Sequence, residues 1–421
     1  MSMIGNVLIL LAGLAVYGGY GLPGLGYLLA ATAVSYALGF GIVRHKWLLW
    51  VSVGLNALAL LTVKLQPLTG WELLAPMGIS YFTLQIIACH VDISRGKYPP
   101  VRNFLRYALH ITYFPHIIIG PIESWPSMDR ALQERKISWD GISFGAARAV
   151  WGLFKKFVIA ARAGVVVGTI SADHEAFRGA YALAAVLLYS VQLYADFSGG
   201  IDMVLGLSRI LGLRLSENFN VPYSSRSVQE FWRRWHITLG AWLREYIYIP
   251  LGGNRKGKFR KLLNTLITFL VSGLWHGIHY ILWGLLNGIF VCIGEKLRTK
   301  WKWADQLGTF LVISLLWAFF VWQDTATALK MTGSIFTTFN YGAFFGSLSQ
   351  LGLVLSDWIL LVLGTAALWL ADRLRLPLHK RFDALCPAGR TGVVCLLGLT
   401  VLIFGMYGIG FDAAAFIYGG F

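Results

Sequence analysis

Long apolar stretches separated by short basic clusters set the pattern of this chain. Before Arg44 there is no Asp, Glu, Lys, Arg or His, and the GLPG at 21–24 divides that stretch into two helices. It also lacks the basic start that a removable signal peptide carries. Further apolar segments run near 47–63, 73–91, 104–122, 142–170, 180–213, 262–294, 307–323, 354–371 and 391–411. Crossing a hydrocarbon core of ~30 Å takes about 20 helical residues, and some of these segments are long enough for two passes. Alternating strands of ~10 residues, which a membrane barrel needs, do not recur. The pattern therefore predicts an all-α polytopic membrane protein of roughly ten to twelve transmembrane or re-entrant helices. No linker, low-complexity tract or repeat breaks it, so residues 1–421 read as a single membrane domain.

Composition agrees: 57% of residues are hydrophobic and 13% charged, whereas soluble domains carry about a quarter charged residues. Mean hydropathy is +0.62. The net charge of +16 matters through its placement. Basic clusters lie between the apolar segments: RHK at 44–46, KK at 155–156, RKGKFRK at 255–261, EKLRTKWK at 295–302 and DRLRLPLHKR at 372–381. Such clusters orient a membrane chain with its basic loops in the cytoplasm. They carry no soluble basic domain, which argues against nucleic-acid binding. Cys89, Cys292, Cys386 and Cys395 lack metal-type spacing and read as small core residues; no metal is expected.

The one substantial polar interruption, residues 214–261, holds the densest chemistry. From Arg226 to Lys261 it has nine basic residues against two acidic ones, Glu230 and Glu245, interleaved with Phe231, Trp232, Trp235, Trp242, Tyr246 and Tyr248. An interfacial helix has this composition, with rings at headgroup level and Arg and Lys stems snorkelling. So does a surface that receives an anionic ligand. PLGGNRKGK then breaks the helix at Pro250, Gly252 and Gly253. The basic turn left behind, with Asn254, Arg255 and Lys256, suits a phosphate-bearing donor or anionic lipid.

From Leu262 to Gly294 there is no Asp, Glu, Lys or Arg. As one straight helix those residues would run ~50 Å, beyond the hydrocarbon thickness. Either the helix tilts strongly or it breaks at Gly277 in HGIH, and basic residues on both flanks favour a hairpin with both ends cytoplasmic. His276 lies inside the membrane either way. On a continuous helix His279 would share its face. An ionisable group at that depth marks a functional site or is a histidine satisfied within the bundle. Two histidines are too few for a metal site. An imidazole near its ordinary pKa of ~6.5 suits general-base work, with oxyanion donors available in Trp235, Trp275, Asn254 or the backbone at Gly277. Asp196 and Asp202 in YADFSGGID are structural partners for a cation or members of the same network. Together with Gly-broken helices they also leave a proton-coupled transporter open.

YADFSGGIDMVLGLSRILG (194–212), ENFNVPYSSRSVQEFWRRWHITLGAWLREYIYIPLGGNRKG (217–257) and SGLWHG (272–277) resemble the membrane-bound O-acyltransferase family. The likeness is to its bacterial branch of alginate O-acetyltransferase membrane subunits. ISYFTLQIIACHVDISRGKYPP (79–100), YFPHIIIGPIESW (113–125) and the terminal AFIYGGF are similar to that branch as well. The resemblance implies helices around a membrane-piercing tunnel in a bacterial cytoplasmic membrane. It implies a cytoplasmic thioester donor such as acetyl-CoA and a hydroxyl acceptor from outside, for an exported polysaccharide. D-alanyl transfer toward teichoic acid is the alternative within the family. His276 in the WHG motif becomes the first choice for general base, and His236 in the RRWH motif the second functional histidine. Trp235, Trp275, Asn254, Asp196, Arg255 and Lys256 become candidate substrate contacts. The partners expected are an extracytoplasmic SGNH-type acyltransferase, membrane lipids and, as a further candidate, an acyl carrier protein.

Overall fold

The computed structural model describes residues 2–70, 74–294, 298–374 and 381–407. The terminal AFIYGGF and part of the basic cluster at 372–381 lie outside them. Within the described residues the chain is helical, with one isolated bridge between Phe219 and Trp235 and no strand. Four helices open it: α1 (Ser2–Gly18), α2 (Leu22–Arg44), α3 (Trp47–Thr69) and α4 (Ile79–Ser94). Six described helices are long and apolar enough to cross a membrane: α2, α3, Ala180–Ile210, Lys302–Val321, Leu355–Arg373 and Pro387–Phe404; three shorter apolar ones accompany them. This is an all-α, multi-pass membrane protein.

Three apolar segments fold in ways their length alone does not specify. Residues 180–213 make a single helix of 31 residues, Ala180–Ile210, instead of two passes. About two thirds of its apolar window is buried, so it is the central post of the bundle. Residues 104–122 split into Phe104–Thr112 and Phe114–Ile119: Tyr113 leaves helical geometry, and Pro115 in the first turn of the second piece has no N–H to continue the first. Neither piece is long enough to span. The run 262–294 is the hairpin: Gly257–His276 ends at Gly277, whose φ of 150° favours glycine, and Ile281–Gly294 returns alongside.

Small residues let these helices approach. A methyl group on Gly145 would meet the carbonyl oxygen of Gly206 at 2.5 Å, and one on Gly206 would meet that of Gly145 at the same distance. Such contacts replace the hydrophobic driving force that lipid removes. Across the same seam runs a ladder of charge, buried or partly buried except at its Glu217 end. A π-helical stretch, Lys155–Ala160, widens the turn so that both Lys155 and Lys156 face inward. Lys156 binds Asp196 at 2.9 Å, Lys155 binds Asp202 at 2.5 Å and the Ser198 hydroxyl at 2.8 Å, and Arg148 bridges Asp202 at 2.8 Å and Glu217 at 2.7 Å. Burial of ions is tolerated because each has a counter-ion.

Candidate functional site

His276 is the last residue of the first hairpin arm and is buried. Its ring is packed edge-on against Trp275 at 4.7 Å, Trp283 at 5.4 Å and Phe320 at 5.8 Å between centroids. The helix break at Gly277 separates it from His279, which is exposed. The two therefore do not share a face.

His236 reaches the same place from the interfacial segment. Helix Val228–Arg234 ends, Trp235 is extended, and His236 adopts a left-handed conformation (φ 46°, ψ 54°) before helix Ile237–Leu243 begins. A non-glycine residue there is uncommon and is held by its surroundings. Asn218 does the holding. Its carbonyl oxygen accepts from the Thr238 amide at 3.0 Å and the Thr238 hydroxyl at 2.9 Å, and lies 3.4 Å from Nδ1 of His236. Its backbone oxygen accepts from Ile237 N–H at 3.0 Å. Because a backbone N–H must donate, the Asn218 side-chain orientation follows from the network. The indole of Trp275 then stands edge-on to both imidazoles, 6.1 Å from His236 and 4.7 Å from His276.

Both histidines line one cavity of about 1010 Å³. Its mouth carries Arg233, Arg244, Lys258 and Lys261, its walls Trp232, Trp235 and Phe269, and no carboxylate is among the described lining residues. One face of the hairpin arm forms a polar stripe along it: Lys258, Lys261, Thr265, Thr268, Ser272 and His276. These recur at three- and four-residue steps, the period of one helix face. From Lys258 to His276 the stripe descends about 27 Å at 1.5 Å per residue.

The mouth is clamped from outside. Glu245 accepts from Lys97 at 2.8 Å and Arg95 at 3.1 Å, and Tyr246 donates to Asp92 at 2.9 Å, fixing the interfacial segment to the end of α4. The Lys97 hydrogen bond, with its charge and that of Arg95, holds the Glu245 carboxyl below the ordinary glutamate range.

Of the residues singled out from sequence, His276, His236 and Trp235 are brought together on this cavity. Trp275 packs between the histidines, but its N–H is committed to the Ser80 carbonyl at 3.1 Å. The Gly277 N–H is likewise used by Gly273. Trp235 keeps a buried N–H that has no acceptor among the described residues. Asn254, Arg255 and Lys256 sit exposed in the turn and do not line the cavity; Arg233, Arg244, Lys258 and Lys261 do. Asp196 is the ion-pair partner of Lys156, outside the lining. Asn218 and the Thr265, Thr268, Ser272 stripe were not singled out, although the stripe's helical period in an apolar run was a readable signal. Among the described residues no group of three or more His, Cys, Asp or Glu gathers as a metal site would require.

Comparison with known proteins gives the family. Residues 94–338 match the model of MBOAT, the membrane-bound O-acyltransferase family. A probable alginate O-acetylase of Pseudomonas fluorescens is 36% identical over 351 residues, covering 79% of this chain and 70% of the relative. A peptidoglycan O-acetyltransferase of Helicobacter pylori is 36% identical over 299 residues, covering 62% and 56%. A teichoic acid D-alanyltransferase of Streptococcus thermophilus is 27% identical over 308 residues, covering 64% and 74%. With its helical bundle, a family match across more than half its length and a relative 36% identical over most of the chain, it belongs to the membrane-bound O-acyltransferase family and is an O-acyltransferase.

Proposed function

We propose that this protein transfers an acetyl group from a phosphopantetheine-type thioester, acetyl-CoA or an acyl carrier, to a hydroxyl on the far side of a bacterial cytoplasmic membrane. The observation that carries the reading is the cavity: four cations at its mouth and a polar stripe descending to His276. A donor with an anionic head and a thioester on a long flexible arm fits that shape. The head pairs with Arg233, Arg244, Lys258 and Lys261, and the arm follows Thr265, Thr268 and Ser272 inward.

At the base, His276 accepts the proton of the attacking hydroxyl as oxygen bonds to the thioester carbon. The tetrahedral oxyanion collapses, the carbon–sulfur bond breaks, and the imidazolium returns its proton to the departing thiolate. Trp235 N–H is the candidate oxyanion donor, and His236, oriented by Asn218, positions the reacting groups. Residues 1–421 act as one membrane domain in this scheme, with lipid around it. The acetylating relatives support an exported polysaccharide as final acceptor. An extracytoplasmic SGNH-type acyltransferase relays the group to it.

Reconstitution in vesicles with radiolabelled acetyl-CoA on the mouth side tests the reading. Label should appear on a hydroxyl acceptor enclosed on the other side, and D-alanyl thioester should serve poorly. Solute flux without acylation would overturn it in favour of transport.

A further inference from the structure

α3 contributes an unexpected residue to the neighbourhood of His276. Among its described residues α3 buries only two side chains, both polar: Ser52 and Lys64. Ser52 is explained, since its hydroxyl meets Nδ1 of His90 on α4 at 2.6 Å. Lys64 is not: it is only 8% exposed, yet the hydrogen bonds and ion pairs of the described residues include none to its ammonium. An ammonium in a buried side chain is costly unless a counter-ion meets it, and none is among the described residues; such intramembrane residues mark function by default.

Hydrogen bonds fix its depth. Ser52 is level with His90, near the end of α4 that the Arg95–Glu245 pair ties to the cavity mouth. Lys64 lies 12 residues further along α3, about 18 Å deeper. On α4, Ser80 lies 10 residues before His90, about 15 Å deeper on the same scale. Ser80 is the residue whose carbonyl takes the Trp275 N–H, next to His276. Lys64 and His276 therefore stand at one depth, to within a turn of helix. α3 also packs against Gly257–His276, the hairpin arm that ends in His276. Tyr81 adds a buried hydroxyl at this level that lacks a partner among the described residues, its ring edge-on to Trp275 at 6.0 Å. Lys64 does not line the basic-mouthed cavity.

We propose that Lys64 binds the acceptor hydroxyl on the side of His276 away from the donor cavity. An ammonium has three donors and no acceptor. A hydroxyl bound to it must accept, so its own hydrogen is left to point at another acceptor, the imidazole of His276. The same contact withdraws electron density from the O–H bond and eases its deprotonation. Lys64 thus orients and acidifies the nucleophile. The acyl carbon exchanges its bond to sulfur for one to oxygen, and the proton travels by His276 to the thiolate, with no further reactant. The assignment rests on the acyl-transfer reading above.

The test uses the purified full chain with acetyl-CoA and two nucleophile probes, methyl glucoside and hydroxylamine. Hydroxylamine attacks through nitrogen and needs no prior loss of a proton. Lys64→Met should lower acetylation of methyl glucoside by about 10²-fold, the usual loss for one well-placed charge-stabilising donor. It should lower transfer to hydroxylamine far less, leave the KM for acetyl-CoA unchanged and keep or raise the Tm. Lys64→Arg should recover part of the glucoside activity. Equal loss with both nucleophiles, or an altered KM for acetyl-CoA alone, would overturn the assignment. If the unaltered protein acetylates neither probe, the acyl-transfer reading falls and Lys64's role with it.

Discussion

Two polar interiors lie side by side in this bundle, and their charges are arranged in opposite ways. On the seam between Trp139–Phe154 and Ala180–Ile210, Arg148, Lys155 and Lys156 are answered by Asp202, Glu217 and Asp196 at 2.5–2.9 Å. Around the histidines the cations line a cavity with no carboxylate among its described lining residues, and aromatic rings surround the imidazoles. In the first, every cation meets a carboxylate and the pairs tie helices together, although Arg148, Lys155, Asp202 and Glu217 also line a second cavity of about 470 Å³. The second gathers positive charge on the wall of a cavity large enough to admit a ligand. Intramembrane charge by itself therefore does not identify a site; the company it keeps does.

Substitutions that swap the behaviour of the two regions test this contrast. The largest effect on turnover belongs to the cavity. His276→Gln should leave the protein folded while acyl transfer per folded molecule falls by about 10²- to 10⁴-fold, the range for lost general-base assistance. Poor expression with near-normal turnover would move His276 to the structural class. On the seam the order reverses. Asp196→Leu leaves Lys156 buried without its carboxylate and should destabilise by about 3–5 kcal/mol. The double change with Lys156→Met should regain most of that, because a well-packed apolar pair replaces an ion pair at little cost. Thermal unfolding in detergent reads both.

A smaller effect separates the two basic sets of the interfacial segment. Lys258→Gln with Lys261→Gln should raise the KM for acetyl-CoA several-fold, most at low salt where screening is weak. Arg255→Gln with Lys256→Gln should change it little, since both side chains point to solvent away from the cavity. The smallest effect is a pH dependence at the clamp. Glu245 is held below its ordinary range by Lys97 and Arg95, so its contribution is present above the unfolded glutamate pKa of ~4.3 and is lost as pH falls through the lower folded value. Glu245→Gln should flatten that acid limb in a Tm-versus-pH series. An unchanged limb would show that the clamp contributes nothing measurable, as exposed pairs commonly do.

Much of the site was legible in one dimension because membrane chemistry is unforgiving. A histidine in an uncharged run of 33 residues stands out, and the period that places Thr265 and Ser272 above it is written in the same run and extends back to Lys261 and Lys258 just before it. Length required either a strong tilt or a break, and the basic flanks favoured the hairpin. Less legible was which basic residues face inward. Arg255 and Lys256 are adjacent to Lys258 in sequence, but the turn at Gly252 and Gly253 directs them out while the helix that starts at Gly257 directs Lys258 in.

What the chain determined unaided is its class. Apolar length forces helices, since lipid offers no partner to an open backbone, and basic punctuation orients them. Only the tertiary structure decided the partnerships. Asp196 reads the same in sequence whether it meets Lys156 or a substrate, because 40 residues of chain separate the two carriers of charge. Lys64 is silent as a single lysine in a lipid-facing helix until Ser52–His90 and Trp275–Ser80 bring it to the depth of His276. His236 takes up its left-handed turn because Asn218, 18 residues earlier, holds Thr238 and Ile237 in place. Helix formation is local and so is written locally, whereas the meeting of charges depends on how helices pack. That packing is set by the glycine seams and hydrogen bonds between elements distant in the chain.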